Sequence, residues 1–270
     1  MSTPHSSTYS VEAYNLSHAS ENKIHDDTVA QKLGFSGGLV PGVEVFAYMT
    51  HPVVARWGRD WLEHGTMQAR FAKPLYDGRT ALVTATKIDV GTLALTLESE
   101  GILCATGSAA MPRPAQAPAI SNYKICPPAT ARPPANEQSL AEGTWLGIAP
   151  YGLTGQRLHD YLRDVRETHD IYAGDGLAHP GLLLRLCNLI LRENVVLAPW
   201  IHTSSALQNF AVARIGDELS ARARVIQNYE RKGHRLVDLD VILVANGTEV
   251  IAQVQHTAVY RLRQLRTGTI

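Results

Sequence analysis

Apolar and polar residues trade places along six stretches of this chain in the two-residue rhythm of a half-buried strand. The clearest are Arg222-Ala-Arg-Val-Ile-Gln-Asn-Tyr229 and Leu236-Val-Asp-Leu-Asp-Val-Ile-Leu243. The pattern predicts strands over Thr80 to Val90, Thr92 to Ser99, Ile102 to Met111, Glu218 to Tyr229, His234 to Val244 and Glu249 to Leu262. Asp89-Val-Gly91, Arg231-Lys-Gly233 and Asn246-Gly247 read as hairpin turns. Two further stretches, Val43 to Trp57 and Leu182 to Val195, follow a helical period instead. In the first, Val43, Phe46, Ala47, Met49, Val53, Val54 and Trp57 leave little polar surface, as expected of a helix enclosed on most sides.

These elements occur twice in the same order. Pro41-Gly42 opens the first helical stretch and Pro180-Gly181 the second, 139 positions later; Phe71 and Phe210, each ahead of three strand runs, keep the same offset. Between the halves lie 7 of the 14 prolines, from Pro112 to Pro134, a composition that feeds neither a sheet interior nor a helix. The reading is therefore a first repeat over 1–111, a proline-rich linker over 112–140 and a second repeat over 141–270. In each repeat an antiparallel sheet and one apolar helix resemble the hotdog arrangement, a sheet wrapped around a central helix. The expected fold is α+β, a double hotdog.

Charge narrows the partners. Lys plus Arg number 25 and Asp plus Glu 25, so no overall field draws the chain to nucleic acid or an anionic membrane. The most apolar window, 181–198, is interrupted by Arg185, Arg192 and Glu193 and predicts no membrane span. Cys104, Cys126 and Cys187 are odd in number and lack metal-type spacing. With a polar stretch at Met1 to Tyr9, a reducing cytoplasm is the expected location. Asn15-Leu-Ser17 is read as a chance sequon.

Chemistry concentrates in Ser20-Glu-Asn22-Lys-Ile-His25-Asp-Asp27, just ahead of the Pro41-Gly42 helix. His25 has the intrinsic pKa of a general base near neutrality. Asn22 can orient that imidazole or a water, and the Gly42 N–H at a helix start can meet a carbonyl gaining negative charge. Asp27 reads equally as a structural acceptor of backbone N–H bonds at a helix start. A positioned water, a proton shuttle and an enolate-stabilising donor are what addition of water to a conjugated thioester requires. No metal motif accompanies His25-Asp-Asp27, and none is expected to bind. Arg70 and Lys73, with Arg56, are candidate contacts for an anionic phosphate or simple surface charges; Tyr48 is a candidate acyl contact or core. His159-Asp160 is read as part of a solvated helix face, and His169-Asp170 lacks the Asn that precedes His25.

Asn22, Ile24, His25, Asp27, Ala30, Gly34 and Phe35, followed by Pro41-Gly42, resemble the hydratase-2 motif of the MaoC-like family. The resemblance implies a hydro-lyase that hydrates 2-enoyl-CoA-like thioesters or runs the reverse dehydration, without metal or organic cofactor, and pairs as a homodimer. It also implies catalytic roles for His25, Asn22 and the Gly42 backbone. One position departs: Ser20 stands where the family carries its catalytic Asp, and Lys23 replaces the Pro after the Asn. A hydroxyl has no carboxylate charge. Three readings remain: His25 works with another acid, of which Glu21 and Asp27 are nearest in sequence; His25 alone handles a variant reaction; or the site binds an acyl thioester without turning it over. A hotdog thioesterase is a further alternative, because fold does not fix reaction.

Overall fold

A computed structural model describes residues 6–263. The first five residues of the polar N-terminal stretch thus lie outside the described part. The first repeat begins with strand β1 (Ser6–Glu12), a 3-10 turn at Lys23–His25 and helix α1 (Asp27–Lys32). Helix α2 (Gly42–His64) follows, then β2 (Thr66–Phe71), β3 (Thr80–Lys87), β4 (Thr92–Ser99) and β5 (Ile102–Ala110). Beyond the proline-rich stretch come β6 (Trp145–Gly147), β7 (Tyr151–Gly152), α3 (Gly155–Asp164) and α4 (Asp170–Asp175). Helix α5 (Pro180–Asn194) and strands β8 (Ile201–Asn209), β9 (Glu218–Arg231), β10 (His234–Ala245) and β11 (Glu249–Arg261) complete the second repeat.

All six strand runs predicted from alternation are strands, and the turns between them obey local rules. Asn246 and Gly247 adopt φ of 52° and 72°, and Lys232 and Gly233 of 53° and 78°, the paired positive φ of a tight hairpin. The first helical stretch runs further than expected. It continues to His64, but Gly58 (φ 59°, ψ −139°) interrupts it, so a second short helix packs Trp61 and Leu62 into the core. Only glycine takes that backbone readily, and it breaks the helical path at one residue.

The strands form one sheet in the order β1-β3-β4-β5-β2-β8-β11-β10-β9-β6, with β7 on β9. The repeats join through the antiparallel β2–β8 pair, from Thr66 opposite Gln208 to Arg70 opposite Ser204. This is a double hotdog: one sheet runs across both repeats, with α2 and α5 on its inner side. The two helices touch where a Cβ on Gly181 would lie 2.6 Å from Ala47 Cβ and 2.2 Å from the Tyr161 hydroxyl, so only glycine permits the approach. Phe46, Met49, Val53, Leu184 and Ile190 are fully buried there. Burial of each such side chain contributes about 1.5–3 kcal/mol, which makes the helix pair a firm floor for the loops that carry the polar residues. Among the described residues no helix is long and apolar enough to cross a membrane.

Candidate active site

The segment ahead of α1 is tied down from several sides. Asp26 caps α1 by accepting from Val29 N at 3.0 Å. Asp27 does not cap; its carboxylate reaches forward to accept from Gly38 N at 2.7 Å. Gly38 passes so close to His25 that a Cβ there would lie 2.3 Å from the His25 carbonyl oxygen. The next residue, Leu39, then presents its carbonyl to the imidazole. Asn15, fully buried, donates to the His25 carbonyl at 2.9 Å. Asn15 is the anchor of the chance sequon, and sequence reasoning gave it no part in the site.

These contacts fix the tautomer of His25. A carbonyl only accepts, so the 2.6 Å contact between His25 Nδ1 and Leu39 O requires Nδ1–H to donate. Nε2 then carries the lone pair, toward which Asn22 Nδ2 donates at 3.2 Å. Burial holds the imidazole neutral, pushing its pKa down to about 4; the Leu39 carbonyl opposes this, while Arg185 and Arg192 push the same way. Asn22 is bolted to the second repeat. Its Nδ2 also donates to Trp200 O at 2.9 Å, and its Oδ1 accepts from Trp200 N at 3.2 Å.

His25, Asn22, Ser20 and Pro41 open onto a cavity of about 360 Å³ between the repeats. Its apolar wall is Leu16, Val43, Leu182, Leu186 and Leu189. Charge comes from the second repeat, through Arg157, Asp160, Asp164, Arg185 and Arg192. The face of α3 that carries Asp160 is therefore cavity wall, not plain solvated surface, although His159 itself is exposed. Gly42 is the first residue of α2, and no side chain caps that helix. Its neighbours Pro41 and Val43 line the cavity, so the positive end of α2 faces the same region.

No carboxylate among the described residues hydrogen-bonds His25. Glu21 is exposed and pairs with Arg132 at 2.9 Å; Asp27 is engaged with Gly38. Ser20 lines the cavity and donates to Asn22 O at 3.2 Å. Glu44, in the first turn of α2, is fully buried and pairs with Arg185. Burial raises its pKa and Arg185 opposes that rise. The structure does not bring Tyr48, Arg70 or Lys73 to this cavity. Tyr48 is buried in the core, its hydroxyl accepting from Tyr14 N at 3.0 Å. Arg70 lies on a separate groove on the outer face of the sheet, and Lys73 is exposed after β2. Their sequence neighbourhood to α2 was the only signal, and it does not encode which sheet face they occupy.

The sheet and the two central helices define a double hotdog, and solved structures share it along nearly the whole chain. A MaoC domain protein from Chloroflexus aurantiacus J-10-fl, described as a dehydratase, superposes with a TM-score of 0.63 at 12% identity, covering 98% of this chain and 97% of that one. A conserved hypothetical protein of Mycobacterium tuberculosis, described as having a double hotdog fold, gives 0.63 at 14% identity over 96% of each chain. A MaoC-like dehydratase gives 0.58 at 14% identity, covering 93% of this chain and 96% of that one. At these identities the likeness is one of fold. No family model matches the chain, and no curated protein matches it in sequence.

Proposed function

We propose that the protein is a hydro-lyase that adds water to, or removes it from, an enoyl thioester such as an acyl-CoA. The observation that carries this reading is His25: a buried, neutral imidazole whose unprotonated Nε2 is aligned by Asn22, at a cavity lined by Pro41 and Val43 from the uncapped start of α2. In this reading His25 is a base beside the reacting water, Asn22 orients, and the Gly42 N–H stabilises the enolate oxygen. Asp27 acts through structure, holding the loop whose Leu39 carbonyl fixes the tautomer. Ser20 holds water at most. Leu182, Leu186 and Leu189 suit an acyl chain, while the exposed Arg157 and half-buried Arg192 suit the anionic end of a CoA-like carrier. The first repeat, 1–111, supplies the His25 segment, and 141–270 supplies the opposite wall after the 112–140 linker. A homodimer in the cytoplasm is part of the same reading. The MaoC-like dehydratases that share the fold support it by analogy.

Purified protein is mixed with crotonyl-CoA and a longer 2-enoyl-CoA, with conjugated absorbance and free thiol followed in parallel. Loss of absorbance without thiol release is expected. Thiol release would make the protein a thioesterase, and binding without either change would make it a carrier of acyl thioesters.

A further inference from the structure

His25, Asn22 and Gly42 also line a second, smaller cavity of about 20 Å³, together with Asn188, Trp200 and His202 of the second repeat. A space of this size accommodates one water molecule. His202, on β8, is buried, and its Nδ1 has no hydrogen-bond partner among the described residues. That atom abuts Gly42: a Cβ at position 42 would lie 2.8 Å from it.

The other side of the ring dictates its tautomer. His202 Nε2 lies 3.1 Å from the Ser204 carbonyl, which can only accept, and 2.8 Å from Ser205 Oγ. Nε2 therefore carries the hydrogen and Nδ1 the lone pair. The chain continues consistently. Ser205 Oγ–H donates to His256 Nδ1 at 2.9 Å, and His256 Nε2–H donates to Asn188 Oδ1 at 3.0 Å. Every donor has an acceptor, ending at Asn188, which lines both cavities. His202, Ser205 and His256 are all buried, and burial and the neighbouring His256 hold His202 neutral.

We infer that His202 is a second catalytic base, its Nδ1 holding the water that is added in the small cavity it shares with His25, so that an imidazole from the second repeat serves where Ser20 lacks a carboxylate. This rests on the hydro-lyase reading of the His25 site. In the hydration direction, one O–H pair of the water becomes the new C3–O bond as Nδ1 of His202 takes the proton. The C2=C3 pair moves toward the thioester oxygen, forming an enolate. The enolate collapses, and C2 takes that proton back from the His202 imidazolium, so one water is added and His202 returns to its neutral form.

The test combines two variants with a readout on the wild-type protein. His202→Leu and His202→Gln are assayed with an enoyl-CoA that the wild type hydrates. Both should lose about 100-fold or more in kcat with KM changed little, since Gln can hold a water but cannot take its proton. A high-resolution crystal structure of the wild type should show a water within hydrogen-bond distance of Nδ1, and 15N spectra should show that nitrogen unprotonated. Active wild type with both variants within threefold in kcat overturns the assignment and leaves the hydro-lyase reading standing. A protonated Nδ1, or no water beside it, overturns the inference even if the variants fail to fold. A wild type inactive on every enoyl thioester defeats the hydro-lyase reading itself.

Discussion

Replacing Asn22 with Ala removes more than an orienting amide. The Asn22 side chain supplies the hydrogen-bond partners of both the N–H and the C=O of Trp200, a residue only 3% exposed. Each buried backbone group left unsatisfied costs about 1–3 kcal/mol. The adjoining cavity lets water reach part of that loss, which puts the sum in the range of about 2–4 kcal/mol. For a chain of this size that corresponds to a fall in Tm of about 4–7 °C. Thermal unfolding at pH 7, followed by circular dichroism, measures it. Asn22→Asp should do no better than Ala. It keeps an acceptor for Trp200 N but sets an oxygen against Trp200 O and His25 Nε2 where the amide donated. Lys23→Ala, which loses only an exposed contact to Ser20 O, is the control and should stay within about 0.5 kcal/mol of the wild type. A Tm for Asn22→Ala indistinguishable from that of the wild type would refute the view that this residue joins the repeats.

Stability should decline on the acid side for a stated reason. The pKa values of His25 and His256 are pushed down by burial to about 4 and about 3, below the unfolded value near 6.5. Below pH 6.5 the unfolded chain binds more protons than the folded one, so each contributes a loss of up to about 1.4 kcal/mol per pH unit until its folded pKa is passed. Urea midpoints should hold from about pH 8 to 6.5 and fall between about 6 and 4; a maximum near pH 5 would contradict this. Arg185→Met should destabilise by about 3–5 kcal/mol, because Glu44 would be left buried without its cation, and Glu44→Gln should recover much of the loss. Equal stability of the single and double variants by urea unfolding would dispose of that pairing. Ser20→Asp should raise hydration of crotonyl-CoA, since residue 20 already lines the cavity; unchanged turnover would mean that no carboxylate is missing there.

What the sequence disclosed follows from the range of the interactions involved. Strand alternation is local, and β9, β10 and β11 are all found within a few residues of their predicted limits. The Pro-Gly and Phe offsets made the repeat visible because each copy needs the same tight entry to its helix. The apolar pattern predicts that the first helical stretch ends at Trp57, just before Gly58; the further turn to His64 escaped notice because Arg59, Asp60 and Glu63 break that pattern. The His25 segment stood out as a cluster of polar residues before a helix. Its surroundings from the second repeat did not, because Asn22 meets Trp200 across 178 positions and His202, which lines the small cavity with His25, is a lone histidine on a strand. His202 and Ser205 are both buried polar positions on β8, but a single sequence does not show which of its polar residues face the interior. Asp27 illustrates the converse: its place at a helix start was legible, yet it bonds Gly38 while Asp26 makes the cap.

The most direct measurement of the central claim compares wild type and His25→Ala on crotonyl-CoA, by loss of the conjugated absorbance, with folding checked by circular dichroism. The account predicts turnover by the wild type and a fall of about 100-fold or more in kcat for a variant that remains folded. A folded His25→Ala protein with wild-type kcat would contradict it.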